Sequence, residues 1–115
     1  MITETEFFDA LADETRRRIL ALLATHGELC VCELHVALDL NQPKVSRHLS
    51  VLRDTNILSI RRAGTWIYYR LSPLMPGWCS NVFELLGPVW LSNPVCVQDT
   101  TRLQSMQNRP LRCCD

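Results

Sequence analysis

The stretch that decides the fold runs from residue 41 to residue 71 and reads NQPKVSRHLSVLRDTNILSIRRAGTWIYYRL. It begins with Asn-Gln-Pro, and proline is favoured in the first turn of a helix. Val45, Leu49 and Leu52 then recur at the i, i+4, i+7 spacing of a half-buried helix. From residue 58 the apolar period changes to two on both sides of an Ala-Gly turn, which predicts a β-hairpin over residues 58–71.

Three helical segments precede this stretch. Residues 3–6 (Thr-Glu-Thr-Glu) have the spacing of a capping box, and Asp13 is placed to cap a second helix that ends at Gly27. Residues 29–38 predict a third helix, which a few mainly polar residues separate from the helix that begins near Pro43. This order of elements predicts a mainly α (α+β) fold, a winged helix-turn-helix with a two-stranded β-hairpin wing.

The C-terminal part of the sequence predicts one more helix and then a tail. A helix is expected over residues 77–86, and the following Gly87-Pro88 is expected to end it. From residue 92 onward the chain is polar and lacks clear periodicity. We therefore expect a DNA-binding and dimerisation domain over residues 1–91 and a flexible or weakly ordered, cysteine-containing tail over residues 92–115.

Composition limits the class of protein. The chain has 115 residues, 21% of them charged, and a formal net charge of zero. It contains no run of 18 apolar residues, and its N-terminus lacks the basic, then apolar, pattern of a secretory signal. These features predict a cytoplasmic protein of one domain with no membrane partner.

The zero net charge conceals an uneven distribution. Residues 1–40 carry eight acidic side chains against three arginines, whereas residues 41–71 carry six basic side chains against one acidic. A basic block of this kind suits a polyanion such as double-stranded DNA. A solvated surface is the alternative interpretation of the charge alone.

The predicted second helix of the helix-turn-helix carries its polar side chains on the outer flank, where a recognition helix meets the major groove. Arg47 can pair with guanine or phosphate, while His48 lies nearer the apolar face and is expected to be half-buried or to contact the DNA backbone. Two wing arginines can follow phosphates or enter a minor groove. The candidate DNA-binding residues are Gln42, Lys44, Ser46, Arg47, His48, Arg61 and Arg62.

One such module reads only a few base pairs, so a two-fold dimer on a palindrome is expected. The terminal helices carry more apolar side chains than a small domain needs, which predicts a homodimer formed through them. The apolar residues concerned are Phe7, Phe8, Leu11, Val82, Phe83, Leu86 and Trp90.

Six cysteines are present, and without a secretory signal we expect reduced thiols. Cys30 and Cys32 are two residues apart, so a regular helix would place them about 200° apart and they could not hold one ion unless the helix start unwound. Cys32 and His35 would share a face. Thiolates favour soft ions such as trivalent arsenic or antimony, a Cys-x-Cys-x-x-His set can hold zinc, and a buried cysteine can simply fill a core.

Three segments resemble one family closely. Residues 28–34 (ELCVCEL), 42–49 (QPKVSRHL) and 62–72 (RAGTWIYYRLS) resemble the arsenic-responsive repressors of the ArsR/SmtB family. The resemblance implies a dimer that binds its operator without a cofactor. It also implies that arsenite or antimonite, bound to Cys30 and Cys32, is the inducer that releases the DNA.

The sequence departs from that pattern at one inducer ligand. Members with this motif usually carry a third cysteine three residues after the second, where this chain has His35, and imidazole is a poor ligand for trivalent arsenic. The third ligand is therefore open: a small thiol or no ligand at all are alternatives, and His35 is the least favoured protein ligand. The thiols that remain as candidates are Cys79, Cys96, Cys113 and Cys114.

Other functions stay open on the cysteines alone. A thiol redox sensor of the same fold would leave DNA on oxidation, and a zinc- or cadmium-sensing repressor would use the same pair with another ligand. An enzyme is not expected, because the sequence contains no dinucleotide or phosphate-binding loop.

Overall fold

The computed structural model describes residues 1–110, which form a helical fold with one small sheet. The elements in chain order are α1 Glu4–Ala12, α2 Glu14–His26, β1 Glu28–Cys30, α3 Val31–Leu38, α4 Gln42–Asp54, β2 Leu58–Ala63, β3 Trp66–Leu71, α5 Gly77–Ser92 and α6 Pro94–Gln104. The mainly α winged helix-turn-helix that the sequence predicts is confirmed.

The first two helices begin and end at the predicted signals. Thr3 and Glu6 form the capping box of α1, since each backbone N–H donates to the other side chain at 3.0–3.1 Å. Asp13 caps α2 by accepting from the Arg16 N–H at 3.0 Å. Gly27 ends α2 with φ +85°, a conformation that strongly favours glycine.

The helix-turn-helix consists of α3 and α4. Asn41 caps α4, its side-chain oxygen accepting from the Lys44 N–H at 2.9 Å. The predicted apolar face is confirmed, because Val45, Leu49 and Leu52 are all at most 1% exposed and lie in the single core. This burial fixes α4 on the domain and turns its opposite face outward.

The wing is a sheet of three strands in the order β1-β3-β2, all antiparallel. The hairpin β2–β3 is confirmed, with Gly64 at φ +61° in its turn. The prediction of a two-stranded wing omitted β1, because residues 29 and 30 were assigned to the third helix. They are extended instead, since β1 pairs with β3 and the helix begins only at Val31.

Helix α5 runs past the expected stop at Gly87-Pro88 to Ser92, so that boundary was wrong. A proline inside a helix removes one backbone hydrogen bond, and tertiary contacts can compensate for that loss. Buried aromatic rings lie on both sides of the proline: Phe83 and Trp90 have centroids 6.1 Å apart.

The expectation of a weakly ordered segment after residue 92 is wrong over α6. Asn93 caps this helix, Pro94 occupies its first turn, and Leu103 is fully buried. Charged contacts also hold this helix, and a search for hydrophobic periodicity does not detect them. We call this set the Asp99 cluster: Asp99 of α6, fully buried, accepts from Arg18 of α2 at 2.7 and 2.9 Å and from Arg102 at 2.7 Å.

The Asp99 cluster also fastens α6 to the end of α3. Arg18 donates to the carbonyl oxygen of Leu38 at 2.8 Å, and Arg102 donates to that of Ala37 at 2.7 Å. Cationic side chains at the C-terminal end of a helix meet its unsatisfied carbonyl groups and the negative end of its dipole.

Within residues 1–110, no helix is both long and apolar enough to cross a membrane.

Candidate nucleic-acid interface and cysteine site

Helix α4 presents a polar face to solvent. Gln42 and Arg47 are exposed, while Lys44 and Ser46 are half-buried beside the capped N-terminus. Donors at and near a helix N-terminus are well placed for phosphate oxygens and base edges. The structure therefore brings these four predicted DNA-binding residues to one surface.

The side chain of His48 contacts two residues at the start of α2. Its Nδ1 lies 3.4 Å from the Arg16 guanidinium and its Nε2 lies 3.9 Å from an Asp13 carboxylate oxygen. Burial lowers the pKa of His48, and the positive charge of Arg16 adds to this against the opposing effect of Asp13. His48 is thus positioned by the start of α2 and supports α4.

The pKa of Asp13 is also lowered. Burial alone would raise it, but the hydrogen bond from the Arg16 backbone and the charges of His48 and Arg16 outweigh that effect. The carboxylate therefore stays charged while it caps α2 and faces the recognition helix. This link between α2 and α4 was not found from the sequence, since nothing in the local pattern around Asp13 points to a residue on another helix.

The two wing arginines have different environments. Arg61 makes a bidentate ion pair with Glu28 of β1, with its shortest contact at 2.6 Å, and its guanidinium lies 4.9 Å from the Tyr68 ring centroid. Arg62 is exposed one residue nearer the turn. Arg61 is thus ion-paired within the sheet, whereas Arg62 is exposed to solvent.

The two cysteines lie at the junction between β1 and α3. Cys30 is the extended N-cap residue of α3 and is 1% exposed, and Cys32 lies in the first helical turn and is half-buried. The prediction that both cysteines lie on the third helix is wrong for Cys30, which precedes the helix, so the 200° separation of a regular helix does not apply to the pair. Within residues 1–110, neither cysteine takes part in a disulfide bond.

A buried carboxylate connects this junction to the chain after α6. One oxygen of Glu33, which is fully buried, accepts from the Cys30 backbone N–H at 3.0 Å. The other accepts from Arg109 Nε at 2.7 Å. Residue 109 is therefore attached beside the cysteine pair, although 76 positions separate Arg109 from Glu33 along the chain.

The sheet register links Cys30 to the wing. Cys30 pairs with Tyr68 on β3, and Tyr68 pairs with Arg61 on β2, so the three residues form one row across the sheet. Side chains in such a row lie on the same face of a sheet and interact with one another. A displacement at Cys30 thus has a direct path to the wing.

The remaining candidate ligands are not gathered around this pair. Cys79 is fully buried in the core on α5, and Cys96 lies on α6 near Arg18, Asp99 and Glu14. Burial raises the pKa of both thiols. His35 is half-buried in the last turn of α3, and residues 1–110 contain no group of three side chains placed to hold a metal ion. Cys113 and Cys114 lie outside the described residues.

Apolar side chains remain exposed on the terminal helices. Of the residues expected there, Phe7, Leu11, Phe83 and Trp90 lie in the core instead, and Phe7 packs edge-on against Phe8, Trp78 and Phe83. The aromatic contacts fasten α1 to α5 and leave other side chains facing outward. The exposed apolar residues of α1, α5 and α6 are Phe8, Trp78, Leu85, Val89, Leu91, Val95 and Val97.

Comparison with known proteins gives matches that extend over the whole chain. The family model of the bacterial regulatory protein, arsR family, matches residues 13–59. An arsenic resistance transcriptional regulator of Pseudomonas putida is 48% identical over 99% of this chain and all of its own length. The arsenical resistance operon repressor of Escherichia coli is 45% identical over 90% of this chain and 86% of its own length.

Solved structures share the fold. HlyU from Vibrio cholerae superposes with a TM-score of 0.67 at 31% identity, covering 76% of this chain and 91% of that one. A homodimeric winged helix-turn-helix DNA-binding domain from Mycobacterium bovis gives 0.63 at 32% identity, covering 74% and 75%. The AntR antimony-specific transcriptional repressor gives 0.59 at 35% identity, covering 74% and 79%. Fold, residue pattern and full-length identity agree, and this chain belongs to the arsR family of winged helix-turn-helix transcriptional regulators.

Proposed function

We propose that this protein is a cytoplasmic, metalloid-responsive transcriptional repressor. It binds operator DNA as a homodimer, and it leaves the DNA when trivalent arsenic or antimony binds the thiolates of Cys30 and Cys32. The observation that carries the proposal is the position of Cys30, which is at once the last residue of a wing strand and the N-cap of the helix that packs against α4. The names of the Pseudomonas and Escherichia relatives and of AntR support the choice of inducer.

The DNA-binding surface in this proposal is the outer face of α4 together with the wing tip. Arg47 reads a guanine or holds a phosphate, Gln42 and Ser46 reach base edges, and Lys44 supplies a point charge to the backbone. Arg62 contacts phosphate or the minor groove beside the wing. His48 supports α4 rather than reading bases, and Arg61 keeps the wing attached to β1.

The exposed apolar side chains of α1 and α5 form the dimer interface in this proposal. Several of them, including Leu85 at 77% and Leu91 at 68%, are far more exposed than apolar residues in a packed core. A contiguous apolar surface on a small domain marks an interaction site, and a two-fold dimer places two reading helices on the half-sites of a palindrome. We include α6 in the same unit, so that the domain extends beyond residue 91.

Soft-ion chemistry supports the inducer. Trivalent arsenic and antimony bind thiolates, and Cys30 and Cys32 are two cysteines outside any described disulfide, at a place where the backbone changes from strand to helix. In this proposal, an ion that bridges them draws together the end of β1 and the first turn of α3. This movement alters the support of both DNA-reading elements, and the regulator needs no catalytic chemistry for it.

The test is DNA release measured by fluorescence anisotropy. The reduced protein is bound to the DNA upstream of its own gene, and arsenite, antimonite, cadmium, zinc and a thiol oxidant are titrated separately. We expect arsenite and antimonite to release the wild type and the matched control Cys96→Ser, but not Cys30→Ser or Cys32→Ser. Loss of DNA affinity in the Cys30 and Cys32 variants without inducer would show that these cysteines are structural.

The same assay separates the alternatives. Release by oxidant alone would favour a redox sensor, and release by zinc or cadmium alone would favour a divalent-metal sensor of the same fold. For the DNA surface, Arg47→Ala is expected to weaken specific binding by about 1–3 kcal/mol. Arg53→Ala, an exposed arginine in the last turn of the same helix, is the control.

A further inference from the structure

A cavity lies between the C-terminal end of α2, the chain that joins the wing to α5, and α5 itself. Its volume of about 510 Å³ is within the range of about 300–1,000 Å³ that is typical of small-molecule sites. The walls are mainly apolar, and they include no residue of the proposed DNA-binding surface and neither Cys30 nor Cys32. Among the lining residues are Ala24, Met75, Phe83, Glu84, Trp90 and Leu91.

The cavity faces away from the part of α5 that the proposed dimer uses. At about 100° per residue, Glu84 and Gly87 lie on the flank of α5 that lines the cavity. The exposed side chains of Leu85 and Val89 lie about 150° around the helix from that flank. Leu91 is the lining residue that the proposed interface shares. A second copy docked on the exposed stripe therefore leaves most of the cavity open to a small molecule.

One wall of the cavity is aromatic. Phe83 and Trp90 both line it, with ring centroids 6.1 Å apart and ring planes inclined at 42°. Met75 adds a flexible thioether side chain, which adapts to guests of different shapes. An aromatic ring attracts a cation placed over its negative face. This wall therefore suits an apolar guest and favours a positive charge over a negative one.

Glu84 is the charged residue among those that line the cavity. It is exposed, and within residues 1–110 its side chain makes no ion pair or hydrogen bond. Helix α5 carries no lysine, arginine or histidine that could neutralise it. The exposed apolar side chains of the proposed dimer interface supply no positive charge either. The carboxylate is therefore available to a positively charged ligand beside the aromatic wall.

We propose that this cavity binds an organic cation, a molecule with an apolar, preferably aromatic, body and one positively charged nitrogen. The body packs against Phe83, Trp90 and Met75. The charge faces Glu84. This inference goes beyond the proposed function, because the site uses neither the thiols of the cysteine pair nor the DNA-binding residues.

The test is a titration of the reduced, full-length protein with benzyltrimethylammonium, followed by backbone amide NMR shifts. The matched ligand is neopentylbenzene, which has the same shape with carbon in place of the charged nitrogen. We expect the cation to bind about tenfold more tightly than the neutral isostere. We expect the shifts at residues 24–25 and 71–75 as well as along α5.

Three results of this titration would overturn the proposal. Equal affinities for the two ligands would show that the cavity does not select a cation. Shifts along α1 instead of residues 24–25 and 71–75 would show that the cation binds the exposed apolar stripe. An absence of binding at millimolar cation would show that the cavity is not a ligand site.

Variants test the individual walls, and a dispersed amide spectrum shows that each is folded. Glu84→Gln should weaken binding of the cation about threefold and leave binding of the neutral isostere unchanged. Asp54→Asn, which removes an exposed carboxylate that does not line the cavity, is the matched control and should change neither. Ala24→Phe places a ring at an exposed position of α2 that lines the cavity and should abolish binding of both.

Unchanged affinity for the cation in Glu84→Gln or in Ala24→Phe would overturn the proposal. The double variant Cys30→Ser/Cys32→Ser should bind the cation as the wild type does, whatever its response to arsenite. Weaker binding of the cation in that variant would contradict the separation of the two sites.

Discussion

Replacing Asp99 with alanine tests whether the Asp99 cluster holds α6 on α3. The carboxylate is fully buried and accepts three charge-assisted hydrogen bonds of 2.7–2.9 Å from Arg18 and Arg102. The Asp99 hydrogen bond is also the main reason that the pKa of Arg18 is raised above its ordinary value. Asp99→Ala therefore leaves the guanidinium of Arg18, whose side chain is only 15% exposed, without its counter-charge.

The magnitude follows from this geometry. Removing one partner of a buried ion pair costs about 3–5 kcal/mol, because the remaining charge is left unpaired. We expect about 3 kcal/mol, the lower end, since Arg102 is 35% exposed and can turn to water. For a domain of this size that corresponds to roughly 10 °C in the melting temperature.

The assay is urea unfolding at a fixed protein concentration, because the stability of the proposed dimer would depend on concentration. The matched control is Asp54→Ala, which removes an exposed ion pair to Arg53 at 3.7 Å and should cost at most about 1 kcal/mol. Arg18→Met in the Asp99→Ala background should recover part of the loss, since the unpaired charge is gone. Equal losses for Asp99→Ala and Asp54→Ala would refute the reasoning.

Three other predictions concern pH, the wing and the core thiol. Burial is the main cause that lowers the pKa of His26 and His48, so the unfolded chain binds more protons than the folded one below about pH 6.5, and the free energy of unfolding should fall from pH 7 to pH 5. The double variant His26→Asn/His48→Asn should lose less stability over this range in urea unfolding, and an equal loss would contradict us. Gly64→Ala should cost about 1 kcal/mol in the same assay, because its added Cβ meets no atom within 4 Å and only the backbone at φ +61° is strained; no loss would mean that the turn relaxes. Iodoacetamide at pH 8 should modify Cys32 well before Cys79, whose pKa burial raises and which is fully buried; equal labelling in peptide mass spectrometry would contradict this.

The elements with strong local periodicity were predictable from the sequence. Helix α4 and the β2–β3 hairpin each bury one regular face, and the caps at Thr3, Asp13 and Gly27 act within four residues of the chain. These features are decided by neighbours in sequence, so a single sequence contains the information. The outward position of Arg47 follows from the same periodicity.

The elements that were missed depend on distant residues. Strand β1 has only three residues and is extended because β3 offers it an edge. Helix α6 is held by Arg18, 81 positions from Asp99, and Arg61 is paired with Glu28, 33 positions away. Ion pairs between distant residues produce no periodic pattern in the sequence. The sequence therefore predicted a weakly ordered tail and did not indicate that Arg61 pairs with an acidic residue.

The two ends of α3 are held differently, and this bears on how a bound ion acts. At the C-terminal end, next to the turn into α4, Arg18 and Arg102 both donate to backbone carbonyl groups and are themselves fixed by Asp99. The N-terminal end, at Cys30, continues directly into the wing sheet through its pairing with Tyr68. If the proposed ion binds Cys30 and Cys32, we expect it to act where α3 joins the wing, and we expect the wing to move more than the end of α3 that Arg18 and Arg102 fix.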